Sequence, residues 1–365
     1  MKRTAIFIAL SITVTTFSFA QIKEKYKIEK TGNITYVHNF APQDDRPSVS
    51  LEFDRQIGTL DGDDEHYLLH DVQDIEMDSE GNLYIVERGN KRVQKFSKDG
   101  EYLKTIGREG QGPGEYEHPV TIGFDSEGNI FIGDIVRKMH IFDSDGNFLK
   151  IRRLSYKLQE FGSYFVLPDG RIVGTVFHWN PSQVSFDYAI FGKDPDSEVI
   201  TLGKPVLDTE TQGRNNLGGL FNFGTCEIDN LGRILKNHYC LNRISIIDPN
   251  NGRQIIVDRA LGFNVKNNEN GLTQVSNGFI GSDSKNRIWV DVFVKRYISD
   301  MNTHKWNPNN DNWLEENVYQ VFDSEGIWLC NLPKPENAQK RFLVSGDRLF
   351  GINDDCIYVY KIIEN

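Results

Sequence analysis

His238 and Tyr239 are adjacent, and Arg243 follows them closely. That trio suits general acid–base chemistry at a uronate. The guanidinium would neutralise the sugar carboxylate and ease loss of the α-proton, which His238 or Tyr239 would move. A second group contains Glu87, Asp134 and Asn353 with Arg88, Arg92 and Arg137. His178 and Trp179 sit in one long insertion, and Arg296, His304, Trp306 and Trp313 lie in or beside another. Flat rings stack on pyranose faces and guanidinium forks pair with carboxylates, so the mixture suits acidic sugars. The plainer reading pairs the arginines with neighbouring acids on a rim. No G-x-S-x-G, H-E-x-x-H or Ser/His/Asp order supports either chemistry.

What positions these residues is a repeat. "DSEGNLYIVE" (78–87) returns as "DSEGNIFIGD" (125–134). Weaker copies are "LPDGRIVGTV" (167–176), "DNLGRILKNH" (229–238), "DSKNRIWVDV" (283–292) and "VSGDRLFGIN" (344–353). Each is a polar turn followed by alternating apolar residues, the pattern of a hairpin turn and a half-buried strand. A second turn follows most copies, as in "KFSKDGEYL" (95–103) and "IFDSDGNFL" (141–149). Four antiparallel strands per unit and six units predict an all-β fold, a six-bladed β-propeller of four-stranded antiparallel blades. The sixth copy ends one strand short. "LEFDRQIGTL" (51–60) is similar to the close of the first blade, so an N-terminal strand is expected to complete the sixth and close the ring. Closure removes exposed sheet edges.

Between the first two units lies "GREGQGPGEYEHP" (107–119). Its glycines suggest a phosphate loop, but no Gly-Lys-Ser/Thr occurs and a strand pattern, "VTIGFD", follows instead of a helix. It is read as a connector from the outer strand of one blade to the inner strand of the next. With the run to residue 149 it resembles NHL-type repeats, and in particular the secreted six-bladed β-propeller family of Bacteroidota. The resemblance spans roughly residues 50–362, is strongest over two blades, and implies a fold much more than an activity.

The propeller sorts residues onto two faces. The Asp-containing turns share one face, where Asp caps its own backbone. The other face collects the insertions 175–188, 201–222 and 292–317, and long loops on rigid scaffolds commonly carry function. The starts of the innermost strands, Asp71, His118, Glu160, Asn222, Ser276 and Asn337, are all polar and are expected around the channel mouth. Such a ring suits a small polar ligand, water or a cation. Acids there would hold a divalent ion such as calcium for lactone or ester hydrolysis.

The chain begins "MKRTAIFIALSITVTTFSFAQ", a basic start, an apolar stretch and a small-residue site, which reads as a signal peptide ending at Ala20. Residues 21–49 read as a polar lead-in and 50–365 as the propeller, without a membrane span. The protein is therefore expected in the periplasm or outside the cell. Net charge is −11, so nucleic acid would be repelled. Cys226, Cys240, Cys330 and Cys356 fit no zinc spacing and read as buried thiols, although an oxidising compartment would permit pairing. The reading is an exported binding propeller for a glycan or protein partner, using His118, Arg88, Arg137, Asp134, His178, Trp179, Arg243, Arg296 and Trp306. The alternatives are a lyase or hydrolase built on His238 and Tyr239, or a metal-dependent lactonase-like hydrolase.

Overall fold

The computed structural model describes residues 24–135, 137–154, 164–180, 183–193, 199–202, 224–238, 243–259, 273–297, 313–338, 341–353 and 355–365. After a hairpin, β1 (Tyr26–Thr31) and β2 (Ile34–Asn39), comes β3 (Val49–Ile57). Blade one is β4 (Val72–Met77), β5 (Leu83–Glu87), β6 (Arg92–Phe96) and β7 (Tyr102–Ile106). The short β8 (Arg108–Glu109) and β9 (Glu115–Tyr116) lead to blade two, β10 (Pro119–Phe124), β11 (Ile130–Asp134), β12 (Lys138–Phe142) and β13 (Phe148–Arg153). Blade three is β14 (Tyr164–Val166), β15 (Ile172–Asn180), β16 (Gln183–Phe191) and β17 (Val199–Leu202). Blade four is β18 (Gly224–Ile228), β19 (Ile234–His238), β20 (Arg243–Ile247) and β21 (Gln254–Arg259). Blade five is β22 (Thr273–Ser282), β23 (Ile288–Tyr297), β24 (Trp313–Phe322) and β25 (Trp328–Pro333). Blade six is β26 (Arg341–Ser345), β27 (Arg348–Ile352), β28 (Ile357–Glu364) and, as its outer strand, β3.

Each blade's first strand lies beside those of the preceding and following blades, and β26 lies beside β4, so the first strands form a closed inner ring. The expected closure is present. β3 runs antiparallel to β28, with Val49 opposite Glu364 and Ile57 opposite Ile357.

Apolar side chains gather in six wedges, one between each pair of neighbouring sheets. Between blades five and six, for example, Trp289 and Tyr319 pack on Phe342 and Leu349. Burying such a side chain contributes about 1.5–3 kcal/mol. The wedges correct one expectation. Strands β5, β11 and β19 are buried at every residue rather than alternately, because their sheets are covered on both faces. Alternation fails there, and exposure moves to outer strands such as β7 and β13.

The Asp turns behave as expected. Asp78 accepts backbone N–H bonds from Glu80 (3.0 Å) and Asn82 (2.8 Å), and Gly81 takes φ +86°. In blade five the residue at that place is Asn286, φ +60°, which also tolerates the left-handed region.

Where the sequence showed only a polar lead-in, β1 and β2 extend blade four to six strands, with β2 parallel to β21. The chain then crosses blade five. Asn39 accepts from the Trp328 amide (2.8 Å) and donates to the Gly326 carbonyl (2.9 Å), and the Gln43 amide reaches the Trp328 carbonyl. Residues 26–57 therefore strap three consecutive blades together.

Candidate functional site

On the face opposite the Asp turns, β15 pairs with β16 up to Asn180–Gln183, and β23 pairs with β24 up to Tyr297–Trp313. These strands have nine and ten residues, against five in β5, β6, β11 and β12. Two hairpins thus stand out from one face. His178 and Trp179 lie on β15 opposite Ser185 and Val184, and Arg296 on β23 opposite Thr273 and Leu314. Tyr239, His304, Trp306, Glu160 and Asn222 lie outside the described residues.

The acids ending the second strands hold backbone in place. Glu87 is 0% exposed, accepts the His70 amide (3.0 Å) and the Asn90 side chain (2.6 Å), and pairs with Arg92 (2.8 Å). Asp134 is 1% exposed and accepts the amides of Glu117 (2.9 Å) and His118 (3.1 Å). Both fix the loop entering an innermost strand, which is why an acid recurs there. Arg88 pairs with Asp71 (2.8 Å) and Arg243 with Asp258 (2.6 Å). Arg137 takes φ +58° in the turn between β11 and β12. His118 is exposed beside Asp134. His238 is 0% exposed, with Nε2 3.2 Å from the Ser245 hydroxyl. The structure brings His118, Asp134 and Arg137 to one blade rim, and Arg88 to the next.

In the inner ring, strand register stacks two layers. Glu76, Gly123, Phe165, Glu227 and Gly281 each lie opposite the second residue of their blade's second strand, and Leu343 lies opposite Phe350, the third residue of β27. Asp74, Thr121, Thr225 and Arg341 form the next layer inward from the Asp turns, with Phe279 beneath the Arg341 guanidinium at 4.9 Å. Asp74 accepts from the Thr121 hydroxyl (2.9 Å) and the Ile122 amide (3.0 Å). Burial pushes its carboxyl up, opposed by Arg341 and those two bonds.

Glu76 and Glu227 belong to blades one and four, which face each other across the ring. Both line a cavity of about 160 Å³ together with Ile122, Phe124, Phe165 and Val166. Each accepts one bond, from the following backbone amide: Met77 to Glu76 (3.0 Å) and Ile228 to Glu227 (2.8 Å). Burial pushes Glu76 up to about 8, and burial plus the Glu76 charge pushes Glu227 well above the usual carboxylate range. Among the described residues, no group of three or more His, Cys, Asp or Glu is placed to hold a metal ion.

Residues 59–172 match the family model DUF5128, described as a 6-bladed beta-propeller. No curated protein matches the chain. A DUF4221 family member from Bacteroides vulgatus has a similar structure, with TM-score 0.53, 11% identity, and coverage of 87% of this chain and 99% of that one. A Bacteroides fragilis protein whose export is proposed gives TM-score 0.51 and 14% identity over 91% of this chain and 99% of that one. Virginiamycin B lyase from Staphylococcus aureus gives TM-score 0.47 and 12% identity over 86% and 100%. At these identities the shared feature is the propeller.

The sequence reading did not single out Glu76 or Glu227. A signal was available. "EMD" (76–78) and "EID" (227–229) place Glu two residues before the turn Asp, where the other copies carry Gly, Phe or Leu.

Proposed function

We propose that this chain is an exported, non-catalytic binding propeller that recognises a glycan or a protein partner through its long-loop face. The observation that supports it is the pair of built-out hairpins, β15–β16 and β23–β24, on one side of a closed scaffold. Extra strand length costs chain ordering and is retained where it presents a surface. His178, Trp179, Arg296 and Trp306 are the contact residues of this reading, with Arg88, His118 and Arg137 at the rim. His238 has no solvent exposure, so the proposal assigns it no proton transfer.

The test is a thermal-shift screen of residues 21–365 against neutral and acidic oligosaccharides, calcium and EDTA. A ligand at 100 times its Kd adds about 2.7 kcal/mol. Replacing residues 298–312 with a short turn should remove that shift while leaving the unliganded melting temperature within about 2 °C. A shift that survives the replacement refutes the loop face, and chemical conversion of the bound glycan refutes the non-catalytic reading. No shift with any glycan leaves the protein partner. Lower stability in EDTA would favour a calcium ion in the channel.

A further inference from the structure

The cavity between Glu76 and Glu227 belongs to the opposite side of the molecule from the built-out hairpins. Its lining residues, Glu76, Phe124, Val166, Pro168 and Ile228, sit immediately before or within the Asp turns. Its mouth is therefore on the short-turn face. The layer beneath, with Asp74 held by Thr121 and Arg341 lying over Phe279, separates it from the long-loop side.

Three features converge on what would fill it. Two carboxylates from opposite blades face one space, and each keeps its second oxygen without a hydrogen-bond partner. The rest of the wall is apolar and aromatic, with Phe165 and Phe124. No described cation answers the pair. On the six innermost strands, the other titratable groups of these two layers are Asp74 and Arg341, and Arg341 serves the layer below.

We infer that this cavity is a binding site for an organic cation carrying a primary ammonium or guanidinium group, held between Glu76 and Glu227 with its alkyl part against Phe165. The volume of about 160 Å³ suits a small molecule or a single lysine or arginine side chain. An ammonium offers three donors, enough to satisfy both free carboxylate oxygens, and the aromatic wall favours a cation further. The raised carboxyls agree with this arrangement. Near neutral pH the empty pair retains protons, which an arriving cation would displace into solvent.

The probes are putrescine and agmatine as free amines, N-acetyl-lysine methylamide as a side-chain mimic, 1,4-butanediol as a neutral control, and calcium. Calorimetry is run at pH 7.5 in two buffers of different ionisation enthalpy, neither of them an amine. The expected result is saturable binding of an amine or guanidine with net proton release, no response to the diol, and at least tenfold weaker binding in both Glu76→Gln and Glu227→Gln. Binding of the lysine mimic alone would identify a protein side chain as the source, and binding of putrescine or agmatine a free small molecule. Two results overturn the inference: no amine binding, or amine binding that both variants retain. Calcium binding without amine binding overturns it too. Glu52→Gln, on the exposed outer strand β3, should bind as wild type and controls for a general loss of negative charge. The loop-face screen uses glycans and a different variant, so either reading can fail alone.

Discussion

Replacing Glu76 with Gln should stabilise the protein at neutral pH. The carboxyl titrates near 8 in the fold and near 4.5 in the unfolded chain. A group raised on folding contributes stability that is fully present below its unfolded value, here about pH 4.5, and lost as pH rises toward its folded value. From pH 4.5 to 7 the loss is about 2.5 pH units at 1.36 kcal/mol each, roughly 3 kcal/mol. Glu76 is part-exposed, and solvent screening reduces the expected figure to about 1–2 kcal/mol. Gln keeps the shape and the acceptor for the Met77 amide but has no charge to desolvate. The melting temperature of Glu76→Gln should exceed wild type by about 2–4 °C at pH 7.5 and match it at pH 4.5, in phosphate or acetate without amines. A lower melting temperature at pH 7.5, or the same gain at both pH values, would refute the argument that charge burial at this position opposes folding.

Four further outcomes are expected. His140 is buried, neither ring nitrogen has a hydrogen-bond partner, and burial lowers its pKa. Stability should therefore be complete above about pH 6.5 and fall below it, and urea titrations at pH 5 and 7 should show a shallower acid loss in His140→Leu. Gly107 sits at φ +71°, and an added Cβ would meet the Tyr116 ring at 2.1 Å. Gly107→Ala should cost about 2–4 kcal/mol by chemical denaturation. Asp134→Ala leaves the Glu117 and His118 amides unpaired and should cost about 2–4 kcal/mol, read the same way. Trp306→Ala should weaken any glycan-induced thermal shift while leaving the unliganded melting temperature unchanged.

The repeat made the ring readable because every copy must solve the same problem. A turn Asp satisfying two amides in blades one, two, four and five, then a strand wedged between sheets, leaves a residue pattern that can be followed through the copies. Closure was readable for the same reason, since residues 51–57 carry the outer-strand pattern. The hairpin at 26–39 was not readable. Its outer strand is exposed throughout, so no apolar alternation marks it, and its parallel pairing with β21 joins residues over 200 positions apart. The site readings divided in a similar way. Residue type put Glu87 and Asp134 forward as ligand contacts and His238 as catalytic, but burial and backbone amides occupy the two acids and His238 is enclosed. Glu76 and Glu227 looked like ordinary strand acids. Their meaning depends on two blades facing each other, and a linear sequence does not display that opposition.

The seam between β3 and β28 sets the order of events when the molecule is made. β3 is among the earliest strands synthesised, and its partner lies in the last nine residues. A growing chain thus has no closed ring until β28 has emerged, and five finished sheets must wait as an open arc. Loss of a few residues from β28 should be far more damaging than an equal loss from an outer strand such as β7 or β13.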